Sequence, residues 1–109
     1  MSDEQTPKTE EQNLLERLQN DIDETGWDLL EEHHKRDALF LLTSDLELAP
    51  VGMAMARDEV EYIRGWLNDG KMSRPTDELI KTWLENEVKF NYLIVQPYVL
   101  IQLKSEDLQ

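Results

Sequence analysis

Residues 90–103 contain no charged side chain, in a chain of 109 residues of which 32% are charged. This run constrains the fold more than any other feature. Phe90, Tyr92 and Ile94 alternate with Asn91, Leu93 and Val95. Beyond Gln96 and Pro97, Tyr98, Leu100 and Gln102 alternate with Val99, Ile101 and Leu103. Such alternation, rich in β-branched and aromatic residues, is the pattern of strands. At 14 residues, with Gln96, Pro97 and Gln102 inside it, the run is too short and too polar to span a bilayer. Strands are expected over 89–96 and 98–104. Gln-Pro cannot make the two-residue hairpin turn that wants positive φ and Gly or Asn. Pro97 instead predicts a kink, a bulge or an edge position, with a bent strand or two successive strands meeting at a corner.

The rest of the chain reads mainly as helix. Leu14, Leu15, Leu18 and Ile22 share one face of a helix over about 9–23. Thr25 followed by Asp28 has the form of a capping box, starting a short helix to about 36 with Trp27, Leu30 and His34 facing inward. The apolar run 38–42 fits a buried strand over 38–43. Ser44 reads as a helix cap, and Pro50 suits the first turn of a helix over 49–57. Asp58 with Glu61 signals the next cap. Val60, Ile63, Trp66 and Leu67 mark an amphipathic helix, and Gly70 its stop. Thr76 caps a last helix that carries Leu79, Ile80, Trp83 and Leu84 to about 87. The expected fold is α+β: one domain over 13–104, with four to five short helices packed on a small two- to three-stranded sheet. A flexible acidic tail is expected at 1–12 and a C-terminal tail at 105–109.

Charge limits the partners. The chain has 24 Asp and Glu against 11 Lys and Arg, a net charge of −13. Nucleic acid and anionic membranes are met with clustered Lys and Arg, so neither is an expected partner. Residues 1–13 are acidic and have no apolar core, unlike a secretory signal, so a cytoplasmic location is expected. The absence of cysteine excludes disulfides, thiolate nucleophiles and Cys-based metal sites.

Few constellations carry chemistry. Glu31 and His34 stand at i, i+3, the Glu-x-x-His spacing of di-iron carboxylate bundles. Those sites need two such motifs and further Glu, whereas this chain has only His33 and His34. A solvated helix end is the expected role, with no metal and no cofactor. No Gly-x-Ser-x-Gly nucleophile turn is present, and Gly26, Gly52, Gly65 and Gly70 are too scattered to cradle phosphate. Carboxylate groups such as Asp21, Asp23 and Glu24 read as helix capping and solvated surface. Trp27, Trp66 and Trp83 each fall on an apolar helix face and are expected in the core. Trp27 and Trp83 are also candidates for a partner pocket, because Trp is enriched in interface hot spots. Pro97 and Tyr98 are candidates through the C-terminal strand, half of which could pair with a second chain in a symmetric dimer.

The order of landmarks carries a family resemblance. Trp27-x-x-Leu30 precedes Asp45-Leu46-x-Leu48, then a small-residue helix ending at Asp58-Glu59, then Trp66-Leu67-x-x-Gly70. The chain closes with Ile94-Val95-Gln96-Pro97-Tyr98-Val99-Leu100-Ile101-Gln102. Over residues 14–104 this resembles the bacterial domain-of-unknown-function family 2288. The resemblance implies a small soluble bacterial protein and supplies no activity, substrate or catalytic residue. The run Glu31-Glu32-His33-His34 departs from the family pattern. The functional expectation is a non-enzymatic protein-interaction or self-associating module. The alternative is a small enzyme or ligand binder using carboxylates in a pocket near the tryptophans.

Overall fold

Both halves of the uncharged C-terminal run enter one sheet. The computed structural model describes residues 9–104. The chain passes through α1 (Glu10–Asp21), β1 (Asp23–Thr25), a 3₁₀ turn (Trp27–Leu29), α2 (Glu31–Lys35) and β2 (Leu39–Leu42). It continues through α3 (Leu48–Ala56), α4 (Val60–Asn68), β3 (Met72–Ser73), α5 (Asp77–Asn86), β4 (Phe90–Val95) and β5 (Tyr98–Leu103). The result is a single α+β domain whose five strands lie in the order β1-β4-β5-β2-β3. The expectation of two to three strands is corrected. β1 and β3 are three and two residues long, too short for any alternation to register. They are strands only because β4 and β2 supply the partner backbone.

β5 is the central strand, antiparallel to β4 and parallel to β2. Val95 pairs with Tyr98, so β4 and β5 form a hairpin with Gln96 and Pro97 as its two-residue turn. The Gln96–Pro97 peptide is cis. A cis proline in the third position of a turn reverses the chain without positive φ. This corrects the expectation that Gln-Pro cannot close a hairpin, which considered only the Gly- and Asn-based turns. It also corrects the idea that Pro97 frees one half for a second chain, because both halves pair with each other.

The sheet is buried on both faces, which is why its central strands read as nearly continuous apolar runs. On one face α1 and α3 bring Leu18, Leu48, Ala49 and Val51 against Leu42, Leu93 and Leu100. On the other, Trp27, Leu30 and Trp83 cover Leu39, Phe90, Val99 and Ile101. Gln102 steadies the approach to α3. Its Nε2 donates to the carbonyls of Thr43 at 2.8 Å and Leu46 at 2.6 Å.

Several helix ends differ from the sequence reading. Thr9 and Gln12 exchange reciprocal bonds of 3.1 and 3.0 Å, a capping box that starts α1. Residues 10–12 are therefore helical. Residues 1–8 of the expected tail, and the tail at 105–109, lie outside the described residues. Thr25 is not a cap: it is extended in β1 opposite Phe90, and its hydroxyl donates to the Gly26 carbonyl. Ser44 is not a cap either, because α3 starts four residues later with Glu47 before it. Asp58 does not begin α4 but closes α3. It has φ 59°, its N–H reaches the Met55 carbonyl, and the Glu59 N–H reaches Ala54. This is a Schellman closure with aspartate in the place usually taken by glycine. Gly70 closes α4 in the same way at φ 76°.

Candidate functional site

The structure distributes the sequence candidates rather than gathering them. Trp27 and Trp83 are buried, with rings 5.7 Å apart, and Trp83 meets Phe90 edge-on at 4.9 Å. Pro97 and Tyr98 lie at the hairpin turn, at the far end of β4 from Phe90. Six strand residues put those ends roughly 17 Å apart. Tyr98 is 39% exposed and meets Phe40 edge-on at 5.8 Å, while the Arg74 guanidinium covers the same Phe40 ring at 5.7 Å. Glu31 is exposed on α2. His34 is half-buried and packs edge-on against Trp27 at 5.6 Å. Among the described residues, no group of three or more His, Asp or Glu converges as a metal site. No helix among them is long and apolar enough to cross a membrane.

Two concave regions stand out. The first is a cleft of about 210 Å³ beside the buried tryptophans, where Asp28, Glu87 and Lys89 surround the edges of Trp27 and Trp83. The second lies on the opposite layer, between α1, α3 and α4. Its volume is about 310 Å³. Pro50, Met53 and Ala54 form its apolar floor, Tyr62 and Trp66 form one wall, and Glu11, Arg57 and Glu59 complete the lining. Leu14, Glu10 and Glu11 of α1 continue the surface past Arg57.

The second region follows from the composition of α4. Val60, Tyr62, Ile63, Trp66 and Leu67 are large and apolar, yet α4 has no buried residue. Tyr62 is 64% exposed, and its ring stacks on Trp66 at 6.1 Å with an interplanar angle of 28°. Ile63 and Trp66 only flank the core. Four of these five residues were legible as an apolar face. Tyr62, and the fact that the face lacks a full covering, were not.

Arg57 is the polar centre of this surface. Its guanidinium pairs with Glu11 across the groove and with Glu59 beside it at 3.8 Å. The hydrogen bond to Glu11, and then its charge, raise the Arg57 pKa above its ordinary value. On another part of the surface Lys71 is likewise raised by its exposed pair with Asp45, 3.0 Å away, and Asp45 is lowered by the Thr43 hydroxyl and then by Lys71. These are surface ion pairs, and none places a tuned acid beside a tuned base in a cleft.

The sequence model of the family described as Protein of unknown function (DUF2288) matches residues 13–103. The chain belongs to DUF2288. The domain is also similar to a solved structure, the NMR solution structure of PA1075 from Pseudomonas aeruginosa. The two are 28% identical with a TM-score of 0.75, over 95% of this chain and 94% of that chain. No curated protein matches this DUF2288 chain.

Proposed function

We propose that the protein is a non-enzymatic protein-interaction module, small, acidic and cytoplasmic, that binds through the surface of α3 and α4. The observation that carries this reading is the incompletely covered aromatic pair Tyr62 and Trp66 above an apolar floor. Tyr, Trp, Met and Arg are the residues enriched in interfaces and their hot spots. Here Tyr62, Trp66, Met53 and Arg57 share one concave surface. The charged rim around them keeps such a patch soluble until a partner covers it.

The experiment is capture from native cells with wild-type protein and the Tyr62→Ala and Trp66→Ala variants. A specific partner retained by wild-type and lost by both variants supports the reading. Light scattering separates self-association: a dimer that these variants dissociate makes the partner a second copy. A second reading, a small-ligand site at the Trp27–Trp83 cleft, draws on the Asp28, Glu87 and Lys89 side chains around it. Binding of a small molecule that is unaffected by the α4 variants and lost on changing Glu87 would favour that cleft instead.

A further inference from the structure

We infer that the groove along α3 receives an amphipathic helix of another protein, with Lys or Arg flanking its apolar face. This deepens the protein-interaction reading above and rests on it.

The shape of the groove argues for a helix. Pro50, Met53 and Ala54 stand at i, i+3 and i+4 on α3, and its C-cap Arg57 extends the stripe to i+7. At 1.5 Å per residue the stripe is roughly 10 Å long, or two helical turns. Tyr62 and Trp66 stand at i, i+4 on α4, so the wall has the same period as the floor. Ridges at that spacing fit the grooves of another helix.

The backbone argues the same way. The groove is walled by α1, α3 and α4, whose N–H and C=O groups are spent on their own helices. An extended peptide laid there would find no ladder to join and would desolvate its own amides without replacement. A helix arrives with those groups already bonded.

Charge selects the flanks. Glu10 and Glu11 stand on the α1 side, and Asp58 and Glu59 in the α3–α4 connection. Arg57 between them is already paired with Glu11 and Glu59. The rim is therefore net negative and complements Lys or Arg beside an apolar face. A second copy would bring the same acidic rim on a chain of net charge −13. Like-charge contact of that kind works against self-docking.

The probe is a synthetic Leu/Lys peptide of about 15 residues with Leu at helical spacing, long enough to hold a helix. A Leu/Glu peptide of the same pattern is the control. Binding is followed by amide chemical-shift changes on the full chain. Expected are shifts centred on Met53, Ala54, Tyr62 and Trp66 with the Leu/Lys peptide, and none with Leu/Glu. Met53→Lys and the exposed-site variant Tyr62→Ala each weaken binding about tenfold. Glu78→Gln on α5 alters the net charge by the same single unit as Met53→Lys and leaves binding unchanged.

Equal weakening by Glu78→Gln, shifts scattered over the acidic surface, or equal binding of Leu/Glu would each overturn the inference. So would a wild-type dimer that Met53→Lys dissociates, which would make the occupant a second copy. If the peptide fails while native partner capture still depends on Tyr62, the helix is wrong and the interaction reading stands. If both fail, both are wrong.

Discussion

Gly52 lies directly under Leu93: a Cβ placed on Gly52 would come within 2.7 Å of Leu93 Cδ2 and 3.2 Å of Val95 Cγ2. Both glycine and leucine are buried, and the contact joins α3 to the sheet. Gly in a helix interior costs about 1 kcal/mol relative to Ala, so its presence here reflects the close approach. Gly52→Val regains only about 0.3 kcal/mol of helix propensity and overpacks the contact. It is expected to destabilise by about 2–3 kcal/mol, which lowers the melting temperature by roughly 10 °C or more. An unchanged thermal melt would show that the interface has slack.

Trp83 and Tyr62 should separate stability from binding. Trp83 is 4% exposed against Phe90 and Trp27. Trp83→Ala is expected to cost about 3–5 kcal/mol, a large share of the stability of so small a domain. Tyr62→Ala removes a side chain that is 64% exposed and should cost less than about 1 kcal/mol. Denaturant titration of the two variants checks the contrast. A large loss for Tyr62→Ala would place that ring in the structural core instead.

The start of α5 rests on Thr76, whose hydroxyl accepts the Leu79 N–H at 3.2 Å. Thr76→Ala should cost about 1 kcal/mol, seen as a fall of about 4–8 °C in melting temperature. Thr82 is the internal control. Its hydroxyl donates to the Glu78 carbonyl from mid-helix, where Ala is the better helix former. Thr82→Ala is expected to leave the melt unchanged or raise it slightly.

Asp45 links the loop before α3 to Lys71. The Thr43 hydroxyl and then Lys71 hold its carboxyl below the ordinary aspartate value of 3.8. A carboxylate depressed in the folded state stabilises above its unfolded pKa. That contribution is lost as pH falls through the lower folded value. Carboxyl titration by NMR should therefore show Asp45 ionising below 3.8, and Thr43→Val should move its midpoint upward more than Lys71→Met. The opposite order would make the lysine charge the main cause.

Much of the fold was legible from local pattern. Leu14, Leu15 and Leu18 announced α1, Thr76 announced the start of α5, and the uncharged run 90–103 announced two strands. Misreadings fell where one residue type serves two local purposes. Asp58 precedes a helix and so resembles an N-cap, but it supplies the left-handed turn that ends the previous one. Thr25 resembles a cap and is instead held extended by Phe90 across the sheet. The exposed aromatic face of α4 was harder to see. Tyr62 and Trp66 lie on the same helix as Ile63, and periodicity cannot say which apolar residues the core reaches.

The sequence by itself determined the family, the single α+β domain and most helices. These depend on propensity, capping and periodicity, which act between residues close along the chain. Tertiary structure alone decided the strands β1 and β3 and the incomplete burial of α4. Each depends on what a distant segment supplies. A two-residue strand exists only beside its partner backbone, and an apolar helix face is buried or exposed according to which other segments pack against it.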